Sequence, residues 1–466
     1  MAVDSRKYQN SPTAAPILSE SKTDELQGYS NAVEVAEVTN DTQESQESRT
    51  PESRTYEGTA HSGSPPPPDG GLVAWLHVLA GFMLLLNSWG IINTYGVFQS
   101  YYESGVLFKA TSSQISWIGS AQAFFIMFSG IVTGPLYDRG YVRALLVTGG
   151  FLIVGGHVAL SFCSAYWQVL LAQGICAGLG EGCLFVPTIS ILPTYFKARL
   201  GLAVGLANAG ASLGGVVFPL MLSRLLYHVG FAWAVRAMAL ISLITLSLAI
   251  SIVKMRFRPE KPRRPIDPTA FSDWPFMVLV LATLLAMMGV VALQFYVAYF
   301  AEYFDIFDTN WSISLVAIYN AASFVGRILP NYLSDKIGVF NLISPAAAIN
   351  GIVIFCLTVV RTKAATVVIA VITGFLSGMI IAMPPVCIAL LTKNKALIGT
   401  RMGTCFGIVS LGLLACGPGA GGILGTDEPL RWTALWVYCG TSLLFGSLLY
   451  AVIRTQKAGF KVMVTV

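Results

Sequence analysis

Apolar positions along this chain neither alternate with polar ones nor form narrow helical stripes; they gather in long blocks. After residue 68, twelve such blocks run near 72–99, 112–136, 143–163, 167–192, 199–222, 231–253, 273–301, 311–334, 339–360, 364–391, 397–424 and 431–454. Each is long enough to cross a bilayer core, which takes about 20 helical residues. Gly and Pro recur inside them, as membrane helices tolerate when neighbouring helices satisfy the freed backbone groups. Alternation over about 10 residues, the mark of a membrane β-strand, does not occur. The pattern predicts an all-α membrane protein with 12 transmembrane helices in two pseudo-symmetric six-helix bundles, 69–253 and 273–454. A linker at 254–272 joins them. Residues 455–466 form a C-terminal tail, and 1–68, rich in Ser, Thr and Glu and closing on four prolines, read as a disordered tail.

Composition makes the solvent lipid. Hydrophobic residues are 55% of the 466 and charged ones 11%, where a soluble domain carries about 25% charged. The net charge of +5 combines an acidic tail with a basic remainder, whose cations are scattered between apolar runs. That is no nucleic-acid footprint. On the tail's side, the loops hold Arg139, Arg143, Lys197, Arg199, a basic run within 254–264, Lys336, Lys393, Lys395, Arg401, Arg454, Lys457 and Lys461. The opposite loops hold only Lys109, Arg224, Arg361, Lys363 and Arg431. Basic loops stay on the cytoplasmic side, so both termini and the linker are expected there. With no retention signal visible, the expected location is the plasma membrane. The eight cysteines lie in or beside apolar blocks with no metal-ligand spacing, and they read as packing residues. No metal or cofactor is implied.

The halves echo each other at an offset near 200 residues. The second block ends Gly134-Pro-Leu-Tyr-Asp138-Arg139-Gly140, and the eighth ends Leu333-Ser-Asp335-Lys336-Ile-Gly338. The fifth opens Arg199-x-Gly201-x3-Gly205, and the eleventh opens Arg401-x-Gly403-x3-Gly407. A carboxylate beside a cation at a glycine turn can cap a neighbouring helix end, in a contact that breaks when the halves rock. The glycines permit close helix approach. Gly134, Asp138, Arg139, Gly140, Asp335, Lys336, Arg199 and Arg401 are therefore candidate gate residues; the plainer role for the charges is to anchor loops on one face.

On these residues the chain resembles the major facilitator superfamily, whose signature loop matches Gly134, Asp138, Arg139 and Gly140. Within it the chain is similar to the monocarboxylate-porter branch, especially its fungal members. Two motifs carry that likeness: Asp69-Gly70-Gly71 with Trp75, and Tyr195-Phe196-Lys197-Ala198-Arg199 running on to Gly214. The superfamily likeness covers 69–454. It implies a solute bound near the membrane midplane between two rocking halves. Carriers of that branch use a lysine in the first helix and an Asp/Arg pair in the eighth. Here Arg327 matches the arginine, Ser323 stands where the aspartate is expected, and Asn93 lies nearest the lysine.

An ion inside the membrane is costly and marks function. Arg327 reads as a solute anchor or as a structural arginine on backbone carbonyls. Glu181, in Gly178-Leu-Gly180-Glu181-Gly182, reads as a proton-coupling acid or as an interhelical hydrogen-bond partner. Asn93, Gln294 and Tyr299 join Arg327 as candidate substrate-binding residues, suited to a ring-bearing or amphipathic solute. Arg236 is expected to snorkel to the membrane edge. Pro384-Pro385 predicts a break in the tenth helix, and Asn310-Trp311-Ser312 fits a glycosylation sequon. No catalytic motif appears. The function expected is secondary active transport of a small organic solute by a monomer, a monocarboxylate or related metabolite, with protons as a second partner. Export of a secondary metabolite is the alternative, and a non-transporting nutrient sensor of the same fold a less favoured one.

Overall fold

The computed structural model describes residues 67–256, 267–425 and 429–459. The tail to residue 66, the middle of the linker, the last residues from 460, and the side chain of Asn310 lie outside that set. Among the described residues every regular element is helical.

Ten stretches are long and apolar enough to cross a membrane. They are α1 (Leu72–Glu103), α2 (Gln114–Asp138), α3 (Val142–Leu160), α4 (Tyr166–Tyr195), the stretch Leu200–Ile252, α7 (Trp274–Tyr303), α9 (Phe340–Thr358), α10 (Lys363–Leu391), α11 (Lys395–Leu424) and α12 (Trp432–Lys457). Leu200–Ile252 is two helices, because Gly230 turns out of helical geometry at φ 76°; we label them α5 (200–229) and α6 (231–252). The remaining helix, α8 (Thr309–Ile337), is as long as its neighbours. Its polarity, with Asn320, Ser323, Arg327, Asn331 and Ser334 all buried, reflects contact with protein rather than lipid. Twelve membrane-length rods result.

The interruptions follow from local chemistry. In α1 the helix stops near Asn87 and again near Asn93. Asn87 Nδ2 donates to the Met83 carbonyl at 2.8 Å and to Thr245 Oγ1 of α6 at 2.7 Å. Ser88 Oγ donates to the Glu181 carbonyl of α4. Such side chains offer the backbone partners outside the helical ladder. In α4 the turn widens to a π-helix over Leu170–Ala177. In α10 one helical segment ends at Ala382 and the next starts at Pro384, where two prolines remove successive donors. The linker is partly ordered: Asp267 caps a short helix, Pro268–Ser272, by accepting from the Thr269 N–H. The last helix runs to Ala458, four residues into the expected C-terminal tail.

Candidate functional site

Two carboxylates join the first six helices to the last six. Asp138, at the end of α2, is buried and accepts from the Gly399 N–H at 3.0 Å, the Thr400 N–H at 2.6 Å and Thr400 Oγ1 at 2.6 Å. It caps the start of α11. Asp335, near the end of α8, accepts from the Gly201 N–H at 2.6 Å and the Leu202 N–H at 2.9 Å, and so caps the start of α5. Each is an anion on the positive end of a helix in the opposite half. The turns that release the chain after them need positive φ, supplied by Gly140 at 94° and Gly338 at 89°.

Glycine lets these helices touch. A Cβ on Gly134 would overlap the Gly399 carbonyl oxygen, and one on Gly403 the Gly130 carbonyl oxygen, across the α2/α11 seam. A Cβ on Gly201 would overlap the Asn331 carbonyl oxygen, and one on Gly205 the Arg327 carbonyl oxygen, across the α5/α8 seam. Backbone cannot yield to such an atom as a flexible side chain can.

The other gate candidates divide. Arg139 is half-buried at its turn, its backbone closing α2. Arg199 is exposed at the start of α5. Lys336 is exposed with Nζ over the Tyr332 ring at 4.6 Å. Arg401 is different from its sequence counterpart Arg199. It is buried, and pairs with Asp267 at 3.2 Å and Asp273 at 2.8 Å, so it clamps α11 to the linker end and the start of α7. Burial pushes the Asp267 carboxyl up, but hydrogen bonds from Thr269 and Arg401 and the Arg401 charge outweigh it and hold the group below its ordinary value.

Three of the four expected binding residues lie on the seam between the halves. Gln294 Nε2 of α7 donates to Asn93 Oδ1 of α1 at 2.9 Å. Space for both amides comes from Gly215 of α5, where a Cβ would sit 2.8 Å from Asn93 Nδ2 and 3.0 Å from Asn320 Oδ1 of α8. Arg327 is only 4% exposed; its Nη1 donates to the Asn208 carbonyl of α5 at 2.8 Å, while its Nε has no hydrogen-bond partner. Tyr299 stands apart, 46% exposed, in an aromatic cluster with Tyr303 and Trp432. Glu181 lies inside the first six helices and is fully buried. One carboxyl oxygen accepts from Gln122 Nε2 of α2 at 2.8 Å, and Oε2 has no hydrogen-bond partner.

The two motifs that suggested a finer kinship form one unit. Asp69 accepts from the Ala198 N–H at 2.7 Å and from the Lys197 N–H, its own N–H donates to the Tyr195 carbonyl, and Trp75 packs edge-on against Phe196 at 5.1 Å. Asp69 and Asp335 thus grip successive N–H groups of the same segment, 197–202.

The Major Facilitator Superfamily model matches residues 77–396. The chain belongs to the Major Facilitator Superfamily. It is 54% identical to the MFS-type transporter dbaD of Emericella nidulans, over 81% of this chain and 85% of that protein. It is 34% identical to the Aspyridones efflux protein apdF of the same organism, over 83% and 78%. The MFS-type transporter eupM of a Phoma species is 53% identical over 47% of this chain and 78% of its own length. Among solved structures, the human organic anion transporter MFSD10 superposes with TM-score 0.64 at 12% identity, covering 82% of this chain and 97% of that one. FucP in its outward conformation superposes with TM-score 0.63 at 17% identity, covering 81% and 98%. The protein is therefore a multi-pass membrane transporter with the facilitator fold.

In this facilitator, sequence reasoning missed the polar row beside Arg327. On α5 it comprises Gly201, Gly205, Asn208, Ser212 and Gly215; on α8, Asn320, Ser323, Arg327, Asn331 and Asp335. Every spacing is three or four in both helices, the stripe of a helix face. That spacing was the available signal.

Proposed function

We infer that this facilitator exports a small, ring-bearing or amphipathic organic metabolite from the cytoplasm by alternating access, acting as a monomer in the plasma membrane. The observation that carries the reading is the Asn93–Gln294 hydrogen bond, which joins α1 to α7 with two neutral amides. Paired amides offer donors and acceptors to carbonyls and hydroxyls without charge, and a solute competing for them would loosen the halves. The gate is Asp138 and Asp335 on opposing helix ends; both contacts are made here, on the face whose loops carry most of the Lys and Arg. The positive-inside rule assigns that face, and both termini, to the cytoplasm. Export is supported by the likeness to a protein named for aspyridone efflux.

Glu181 would carry a proton. A carboxyl buried with an unpartnered oxygen is cheaper neutral than charged, and its release would require water to reach it as the halves move. A second reading, a monocarboxylate, has one observation in its favour: the unpartnered Nε of Arg327, which a carboxylate would satisfy.

Flux in vesicles tests these readings, using labelled neutral ring-bearing metabolites and small organic acids, with and without a pH gradient. Export of a neutral solute, weakened by Asn93→Ala and Gln294→Ala, is the expected result. Flux confined to small carboxylates and abolished by Arg327→Ala would replace it with the monocarboxylate reading. Flux indifferent to the gradient would remove Glu181 from the cycle.

A further inference from the structure

At the membrane edge opposite the basic loops, α3, α4 and the turn between them leave a groove on the outer surface of the first six helices. It has a volume of about 500 Å³. Its floor is small, with Gly155, Gly156, Ala159 and Ala172; its walls include the exposed rings of Phe162 and Trp167. The backbone along one side is the π-helix Leu170–Ala177, whose wider turn displaces side chains from the ordinary helical register. Exposed aromatic rings at helix ends are interface anchors, so the groove starts at headgroup level and points into the acyl region.

A cation from α6 lies against one of its wall rings, Phe162. Arg236 of α6 is held between two rings, with its guanidinium carbon 4.7 Å from the Phe162 ring centre and 5.0 Å from that of Trp233. Nε donates to Ser161 Oγ at 3.1 Å. Among the described residues its two Nη groups have no hydrogen-bond partner. The two ring contacts and the Ser161 bond hold the guanidinium in place and leave its Nη donors for a ligand. A guanidinium fork matches a phosphate bidentately, whereas simple snorkelling into water needs neither the ring contacts nor the Ser161 bond.

We propose that this groove holds one anionic phospholipid, with the phosphodiester on Arg236 and an acyl chain lying over Gly155, Gly156 and Ala159 between Phe162 and Trp167. A structural arginine alone would not need the adjoining apolar trough, and a trough for an acyl chain alone would not need the cation. The site sits outside the seam between the halves and is independent of the solute.

Delipidated full-length protein in detergent, titrated with dioleoyl phosphatidylglycerol and followed by native mass spectrometry, tests this. Wild type should retain one lipid after mild activation, with at least fivefold weaker retention of phosphatidylcholine. Arg236→Gln should abolish the headgroup preference, and Ala159→Leu, at an exposed position that does not enter the core, should lower retention of both lipids about fivefold. Equal retention in wild type and Ala159→Leu would overturn the proposal, leaving ordinary annular lipid. So would preferential retention of ergosterol that survives in Arg236→Gln, or a dimer mass lost in Ala159→Leu, since each names a different occupant. If Arg236→Gln does not fold, Ala159→Leu and the two-lipid comparison in wild type still decide the matter.

Discussion

The two seams between the halves begin alike and continue differently. Both open at the basic face with an aspartate on the helix start of the opposite half, followed by glycine contacts. Beyond that point α5/α8 stays polar: Arg327 reaches the Asn208 carbonyl, Ser212 Oγ donates to Ser323 Oγ at 3.3 Å, and the amides of Asn320 and Asn93 both lie against Gly215. The α2/α11 side turns apolar. Ile131 fills the space over Gly407, and from α4 Phe185 packs edge-on against Phe406 while Ser190 donates weakly to the Met402 sulfur. Apolar contacts inside a membrane gain little over lipid, whereas polar contacts have no equivalent there. One side is thus latched mainly at its end and the other along its length, so disturbing the end should matter more at α2/α11.

The largest effect should come from glycines whose missing Cβ meets backbone. Gly403→Val forces α11 from the Gly130 carbonyl of α2. Overpacking of this kind costs about 1–3 kcal/mol, roughly five- to 150-fold in the closed-to-open ratio. Spin-label distances across the basic face should lengthen, and transport should fall. Unchanged distances would show that the helices tolerate separation and that glycine contact is not what closes this face.

Next come the caps. Asp138→Asn and Asp335→Asn each replace charge-assisted hydrogen bonds by neutral ones, removing part of about 1.5–3 kcal/mol. Asp138→Asn should open α2/α11 further than Asp335→Asn opens α5/α8, because the polar row still holds the latter. The same pair of spin-label measurements reads both. Equal opening would refute the contrast between seams.

Much of this was legible beforehand, and the reasons are physical. Twelve apolar blocks set the architecture because lipid demands internal satisfaction of the backbone. The repeat at Asp138 and Asp335 located both caps, since an anion, a glycine turn and a nearby helix start must recur together for that chemistry. The pairing of Arg199 with Arg401 misled: equal sequence positions meet different surroundings, one exposed, the other answered by Asp267 from the linker and Asp273 at the start of α7. The polar row on α8 was hidden because Asn and Ser inside a membrane helix name no partner until the facing helix is in place. Tyr299 shows the converse, a polar aromatic in the right helix that is half exposed and packs with Tyr303 and Trp432.

The Arg401 clamp can be separated from the seams by pH. Because the Asp267 carboxyl is held below its ordinary value of about 3.9, its pairing contributes stability that is full above that value. The contribution is lost as pH falls through the lowered value. Asp267→Asn keeps the two hydrogen bonds from Thr269 and leaves Asp273 in place, so the cost at neutral pH should be on the order of 1 kcal/mol. In thermal unfolding, wild type and variant should differ by a constant amount from pH 7 to about 5 and converge only in stronger acid. A gap that widens on acidification would reverse the sign and remove Asp267 as the anion of the clamp.

The smallest change should be the most informative about the polar row. Ser323→Ala deletes one neutral hydroxyl contact, worth about 0.6 kcal/mol in a membrane interior, from a seam that retains Arg327, Asn331 and Asp335. If the row acts as independent contacts, adding Ser323→Ala to Asp335→Asn should lengthen the α5/α8 distance by the sum of the separate effects. If the row acts as one unit, the double variant should open well beyond that sum, and the asymmetry between the seams would then be cooperative. No excess opening, combined with equal responses of the two caps, would reduce α5/α8 to the same end-latched design as its partner.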